Sequence, residues 1–311
     1  QKALPPLKSP CDIAGSVIQE VASETGLKVG TPVVVGSSDT ATESYGVGIL
    51  EAGQCVVKMA TAGTVSIFTD IPRPSHKSLT YSSVVPELWY ACMGTNSAAE
   101  SMRWFRDVFC EEEIVSGKKE QISAYKIIDR AAATSPPGAK GLIFHPYLMG
   151  ERSPYWDSNL RASFTGISAY HKKGHFSKAI MEGVAYSLKD CSLALEELGL
   201  IIEEVRFIGG GAKSRLWSHI LADVLSKRIV RLECDDASYG AAMLAGVGTG
   251  IFSSMQEAVQ KCVRVVDTIA PDKKNVETYT NYFSIYKKIH DDLEDTYSKL
   301  FEIQKNGSMT E

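Results

Sequence analysis

Apolar positions follow two rhythms along this chain, and each change of rhythm marks an element boundary. Val205 to Ile208 is a short β-prone run. Three glycines follow, and then Leu216, Ile220, Leu221 and Val224 recur at helical spacing. That pattern predicts strand, glycine turn and helix. The clearest helix spans residues 175–198, with Phe176, Ile180, Val184, Leu188 and Leu195 on one face and Gly199 as its cap. Upstream, residues 1–12 read as a connection, and 13–25 hold a short helix ended by Gly26. Val33 to Val35 form a buried strand, 36–39 a turn, and 40–45 the first turns of a helix. β-Branched runs within 55–69 flank Ala60-Thr61-Ala62-Gly63 and predict a hairpin; 81–92 predict a second strand pair with Pro86 near its turn. Ser97 and Glu100 have the spacing of a capping box that opens a helix through Phe109. Then come a solvated loop at 111–116, a helix at 121–133, a turn at 135–138, a strand at 141–144 and a long loop at 145–161. Residues 229–232 are a strand, 238–247 a small-residue helix, and 275–301 a long amphipathic helix. Strand–helix alternation after residue 140 argues an α/β core.

Composition narrows the classes. The 311 residues suffice for one large or two medium domains. Hydrophobic residues make up 44% and charged residues 23%, with a net charge of −4, so nothing favours a polyanionic partner. No basic run interleaved with aromatics points to nucleic acid, and no apolar stretch reaches the ~18 residues of a membrane span. Seven scattered cysteines without a CxxC pair argue reduced thiols, a cytoplasmic setting and no structural zinc. The six histidines are dispersed, and no metal site is expected from them. Gln1 is no initiator, and the chain is expected to begin mid-protein.

Four stretches could carry chemistry. At 209–214, glycines without Cβ would let a phosphate or nucleoside lie against bare backbone, beside a helix start with free N–H groups; a tight connection is the alternative. Asp39 follows a strand and opens a helix, where α/β proteins place ligands; taken alone, the residue pattern favours an N-cap for the helix at Thr40. The turn at 60–63 offers N–H groups and the Thr61 hydroxyl to phosphate oxygens, or is only a hairpin. The charged and aromatic loop at 150–157 is of a type that carries function, or is a surface salt bridge with an aromatic plug. Trp104 and Trp89 read as core, and Lys287 and Lys288 as a solvated helix face.

Together these motifs resemble the FGGY carbohydrate kinases, in their xylulokinase-like branch. Gly150 to Asp157 with Asn159-Leu160-Arg161 looks like that branch's loop. Residues 163–182 resemble the second family signature, through Phe164-Thr165-Gly166-Ile167, His175-Phe176 and Ala179-Ile180-Met181-Glu182. Residues 205–223 resemble the adenosine segment, 235–248 the segment that closes the nucleotide pocket, and 32–48 the stretch holding the catalytic base. The resemblance covers nearly the whole chain, in order. It departs at Ala60, where the family usually has Gly; Ala keeps the N–H.

The resemblance implies two ribonuclease-H-like, actin-like domains around a cleft. No DxGTxxxR phosphate loop occurs here, so residues 1–48 are expected to be the tail of the first domain, and 49–311 the complete second domain. It further implies that Asp39 takes the proton of the sugar hydroxyl, that Thr61 and Gly63 face the β- and γ-phosphates, and that Gly210, Gly211, Ala212 and Ser214 face the α-phosphate and ribose. ATP and Mg2+ are the implied cofactors, with Mg2+ held mainly through water. A sugar, a nucleotide and the N-terminal domain in cis are the implied partners, and a homodimer is compatible with it. Two other readings compete: a non-catalytic actin-fold sensor, against which Asp39 speaks because a sensor needs no base, and an oligomerisation scaffold, supported only by the C-terminal helix.

Overall fold

The computed structural model describes residues 6–307. It opens with β1 (Ile13–Ser16), α1 (Gln19–Thr25) and β2 (Pro32–Val34), the two strands pairing antiparallel. Gly26 ends α1 in the left-handed region, at φ 75°. β2 is a strand as expected but not a buried one. Side chains alternate along a strand: Val34 turns toward Gly248, whereas Val33 and Val35 are exposed. The part of the 1–12 connection before residue 6 lies outside the described residues.

After α2 (Asp39–Gly46) come four antiparallel strands, β3 (Cys55–Met59), β4 (Gly63–Thr69), β5 (Leu79–Ser82) and β6 (Trp89–Thr95); β3, β4 and β6 form a meander, and β5 pairs along the outer edge of β6. A helical stretch follows: α3 (Ala99–Phe109), α4 (Glu111–Glu120) and α5 (Ala124–Ala133). The small ladder of β7 (Ile143–His145) and β8 (Ser163–Thr165) precedes the 24-residue α6 (Lys173–Glu196). The chain then alternates through β9 (Glu204–Ile208), α7 (Arg215–Leu225), β10 (Arg228–Leu232), α8 (Ala237–Gly248), α9 (Met255–Cys262), β11 (Val265–Ile269) and α10 (Lys273–Gly307). The central sheet runs β11-β10-β9-β3-β4-β6-β5, with β9 parallel to β3 and β10 parallel to β9. An antiparallel meander extended on one side by parallel strands through helical crossovers is the ribonuclease-H-like, actin-like plan.

Strand alternation sends side chains to two cores. Cys55, Val57, Met59, Val65, Ile67 and Phe207 meet α6, α7 and α10 on one face; Val56, Phe68, Tyr90 and Ile208 meet α2, α8 and α9 on the other. Three local expectations need correction. Residues 111–116 are helical, not loop: Glu111, Glu112 and Glu113 open α4 and Lys118 and Lys119 close it, the arrangement that suits the helix dipole. The capping box at α3 does not form: the helix starts one residue later, with Ala98 as N-cap, and the Glu100 amide that the Ser97 hydroxyl would cap donates instead to the hairpin carbonyl of Thr61 at 3.3 Å. And α10 is not solvated throughout: Tyr279 and Tyr286 are fully buried, while Ile285, Leu300 and Ile303 stay exposed.

The Asp39 helix is docked through glycine. A Cβ on Gly240 of α8 would come within 1.8 Å of the Thr42 carbonyl, and one on Gly46 within 2.9 Å of the Gly240 nitrogen. Gly240→Ala is therefore expected to cost about 1–3 kcal/mol, the usual scale of overpacking, read as a lower urea midpoint; an unchanged midpoint contradicts this docking.

Candidate active site

Three parallel strands place three turns on one edge of the sheet: 60–63 after β3, 209–214 after β9 and 233–236 after β10. At the hairpin, Ala60 donates to the Ala62 carbonyl at 3.0 Å, so its amide is spent within the turn. Gly63 is buried, donates to the Thr95 hydroxyl at 3.1 Å, and has room for no Cβ beside Leu188. Among the described residues the amides of Thr61 and Ala62 donate to nothing, and Thr61 is exposed.

The second turn is a 3-10 segment, Gly210–Lys213. Gly209, at φ 87°, donates its N–H to Asp235 Oδ2 at 2.6 Å. Gly210 is exposed and a Cβ there would meet only the Met59 carbonyl, at 3.9 Å; Gly211 is buried, and its Cβ would strike Met59 Sδ at 2.3 Å. The amides of Gly210 and Gly211 have no acceptor among the described residues. The Ala212 carbonyl accepts from Arg231 at 3.1 Å, and the Ser214 hydroxyl caps α7 by accepting from Trp217 N at 3.1 Å.

Asp39 is exposed at the start of α2. It is not the N-cap, which is Ser38; its Oδ1 accepts the amide of Thr40 at 2.7 Å. Four residues on, Glu43 pairs with Lys58 of β3 at 2.8 Å. Burial raises the Glu43 pKa, and Lys58 counters it. Asp39 lines a cleft of about 380 Å³ together with Thr64, Tyr81, Tyr90, Gly94, Arg152 and Trp156. The 150–157 loop and the Asp39 segment, separate in sequence, thus share one wall.

That loop is built in, not laid on the surface. Glu151 is 3% exposed, and its carboxylate accepts the amides of Asn96 and Arg152, each at 2.7 Å. Burial pushes its pKa up to about 7, against the opposing pull of those two amides. The Tyr155 hydroxyl donates to Asp190 of α6, and Lys287 of α10 donates to both, at 2.7 and 3.0 Å. The Tyr155 ring stacks on His290 with centroids 3.8 Å apart. Lys287 therefore belongs to a half-buried network rather than a solvated face, while Lys288 makes the exposed pair with Asp292 expected of such a face. His171 and His175 stand at HxxxH spacing, a pairing the dispersed-histidine reading overlooks. Their rings lie 5.4 Å apart, but each Nδ1 already accepts a backbone amide at 2.9 Å. No group of three His, Cys, Asp or Glu among the described residues could hold a metal.

Residues 57–249 match the FGGY family of carbohydrate kinases, C-terminal domain. The chain belongs to the FGGY family. A xylulose kinase of Bacillus subtilis (strain 168) is 32% identical over 305 residues, covering 97% of this chain and 59% of that protein. A gluconokinase of Bacillus licheniformis is 30% identical, over 93% of this chain and 57% of that protein. The crystal structure of xylulose kinase from Rhodospirillum rubrum superposes with a TM-score of 0.81 at 26% identity, over 95% of this chain and 58% of that one. The chain thus spans somewhat over half the length of these FGGY relatives. The matched FGGY segment runs from β3 to just past α8 and holds all three edge turns and the 150–157 loop; Asp39 lies outside it.

Asp235, Glu151 and Arg152 were not singled out by the sequence as site residues. Asp235 carries the same signal as Asp39, a carboxylate just past a strand at the ligand edge. Glu151 and Arg152 lie in a loop that composition flagged, but their roles depend on Asn96 and Gly94, far away in sequence. Because Glu151 has a raised pKa in the folded state, the protonated form favours folding. Its contribution is full below the ordinary glutamate range and is lost as pH rises through about 7. Glu151→Gln, whose amide oxygen can still accept both N–H groups, is expected to flatten the fall of unfolding free energy between pH 5 and pH 8. Equal slopes in urea titrations of parent and variant contradict this.

Proposed function

We propose that this chain is the nucleotide-binding part of an ATP-dependent sugar kinase. The observation that carries the reading is a pair of turns at the ends of adjacent parallel strands, each with two unengaged amides, beside a cleft lined by an exposed aspartate. Unengaged amides converging on one edge suit phosphate oxygens. In this reading the Thr61 hydroxyl and the amides of Thr61 and Ala62 take the β- and γ-phosphates. Gly210 and Gly211 take the α-phosphate through their amides, with Ala212 and Ser214 shaping the ribose side and capping α7. Gly63 serves by close packing rather than by contact. Residues 1–48 are assigned to the tail of a first domain, and 49–311 to the second.

Asp39 is the general base. As the sugar oxygen bonds to the γ-phosphorus, the bond from that phosphorus to ADP breaks and the hydroxyl proton passes to Asp39. Among the described residues no three His, Cys, Asp or Glu side chains form a direct metal cage. Mg2+ would therefore sit on phosphate oxygens and water, where it neutralises charge on the nucleotide. D-Xylulose is the sugar best supported, through the relatives' names, with gluconate the alternative. Seven free thiols support a cytoplasmic setting; no helix among the described residues is long and apolar enough to cross a membrane.

In the protein extended upstream by the first domain, Asp39→Asn is expected to lower kcat by ~100-fold or more while ADP affinity stays unchanged. A loss below about tenfold in steady-state kinetics removes Asp39 as base. The chain alone is expected to bind ADP weakly and to show no sugar-dependent ADP release. Gly210→Val, which meets no neighbouring side chain, should abolish that binding in calorimetric titration without lowering the urea midpoint. Gly211→Val is the poorer probe because it collides with Met59. Equal ADP affinity for Gly210→Val and parent would reduce the 209–214 turn to a connection.

A further inference from the structure

The geometry points to Arg152 as the cation that grips the phosphoryl group in transit, a role that rests on the kinase reading above. Arg152 carries the only positive charge among the residues lining the cleft that holds Asp39. Its side chain lies flat on Gly94: Nε donates to the Gly94 carbonyl at 3.3 Å, and a Cβ at Gly94 would come within 2.4 Å of Nη2. Gly94 pairs with Thr64 across the β4–β6 ladder, one step from the Gly63–Thr95 pair that closes the hairpin. The guanidinium therefore shares a cleft with Asp39, one ladder step from the strand ends that close the hairpin with the unengaged Thr61 and Ala62 amides. In a kinase the γ-phosphoryl group moves from the phosphate turns to the hydroxyl at the base, and Arg152 is the cation at hand on that side.

Its Nη hydrogens are free for that task. The carboxylate adjacent in sequence, Glu151, faces the other way: one oxygen takes the amides of Asn96 and Arg152, and the other faces Ser187. Among the described residues no Asp or Glu forms an ion pair with Arg152, and its side chain's one hydrogen bond leaves both Nη groups over. A planar fork with two open positions suits two phosphoryl oxygens at once.

The loop that carries the fork is held from three sides. Ser153 donates its amide to the Gly94 carbonyl at 3.0 Å, and Glu151 donates its own to Asp157 at 2.8 Å. Tyr155, three residues on, is locked to α6 and α10 through Asp190 and Lys287. Donors fixed before the reaction stabilise developing charge without reorganising. In the step itself Arg152 neither gives nor takes a proton. It spreads the charge on the equatorial oxygens while the bond to ADP breaks, the bond to the sugar oxygen forms, and Asp39 receives the proton.

The test uses the kinase with both domains, as Arg152→Ala and Arg152→Lys. Arg152→Ala is expected to lower kcat by ~100-fold or more, the scale for removing one preorganised donor, with KM for the sugar and ADP affinity unchanged. Retained ADP affinity shows that the variant is folded. Arg152→Lys keeps the charge without the fork and should fall between the two. Added guanidinium ion should restore part of the turnover to Arg152→Ala and none to Asp39→Asn. A kcat within a few-fold of the parent, or a loss confined to the KM for the sugar, overturns the role and leaves the kinase reading standing. A parent protein that neither hydrolyses ATP nor phosphorylates any sugar in a panel overturns that reading and this inference with it.

Discussion

The parallel pairing of β3 with β9 is the constraint on which the rest depends. Its register, Cys55 with Val205 through Lys58 with Ile208, forces both strands to end together. The hairpin at 60–63 and the glycine turn at 209–214 must then share an edge, and β10 adds Asp235 to it. Had β9 run antiparallel, the two sets of unengaged amides would lie at opposite ends of the sheet. Both turns also lean on one side chain: Met59, last in β3, fills the space that a Cβ on Gly211 would need, and its carbonyl limits Gly209.

The helices on one face turn this edge into a rigid site through buried carboxylates. Glu182 of α6 accepts the Gly138 amide and the Tyr279 hydroxyl, each at 2.9 Å, which ties α6 to a turn and to α10. Glu151 does the same for the loop over Gly94. Burial raises the pKa of each to about 7. An apolar pair would be cheaper to bury, but it could not accept amides from irregular backbone. The carboxylates thus hold loops where strands and helices cannot.

What the sequence made legible is what local pattern determines. The strand, glycine turn and helix across 205–225, the hairpin about 60–63 and the helix begun at Asp39 all follow from apolar spacing and turn residues. What it hid depends on distant partners. Val33 to Val35 look alike, and nothing local says that only Val34 is covered. Ser97 and Glu100 have capping-box spacing, but hairpin carbonyls almost forty residues upstream take the helix amides first. Lys287 looks solvated until Asp190 and Tyr155 are brought beside it. Arg152 sits in a loop whose composition drew notice, yet its place depends on Gly94 lacking a side chain. In the α4 stretch the signal was present, acids first and lysines last, and the charge density masked it.

The most direct test of the account is a crystal structure of this chain with ADP bound. The account predicts that the phosphates lie between the two turns, within hydrogen-bond reach of the amides at 61–62 and 210–211, with the adenosine on the α7–α8 side. Nucleotide density at any other edge of the sheet, with these amides still unengaged, contradicts it.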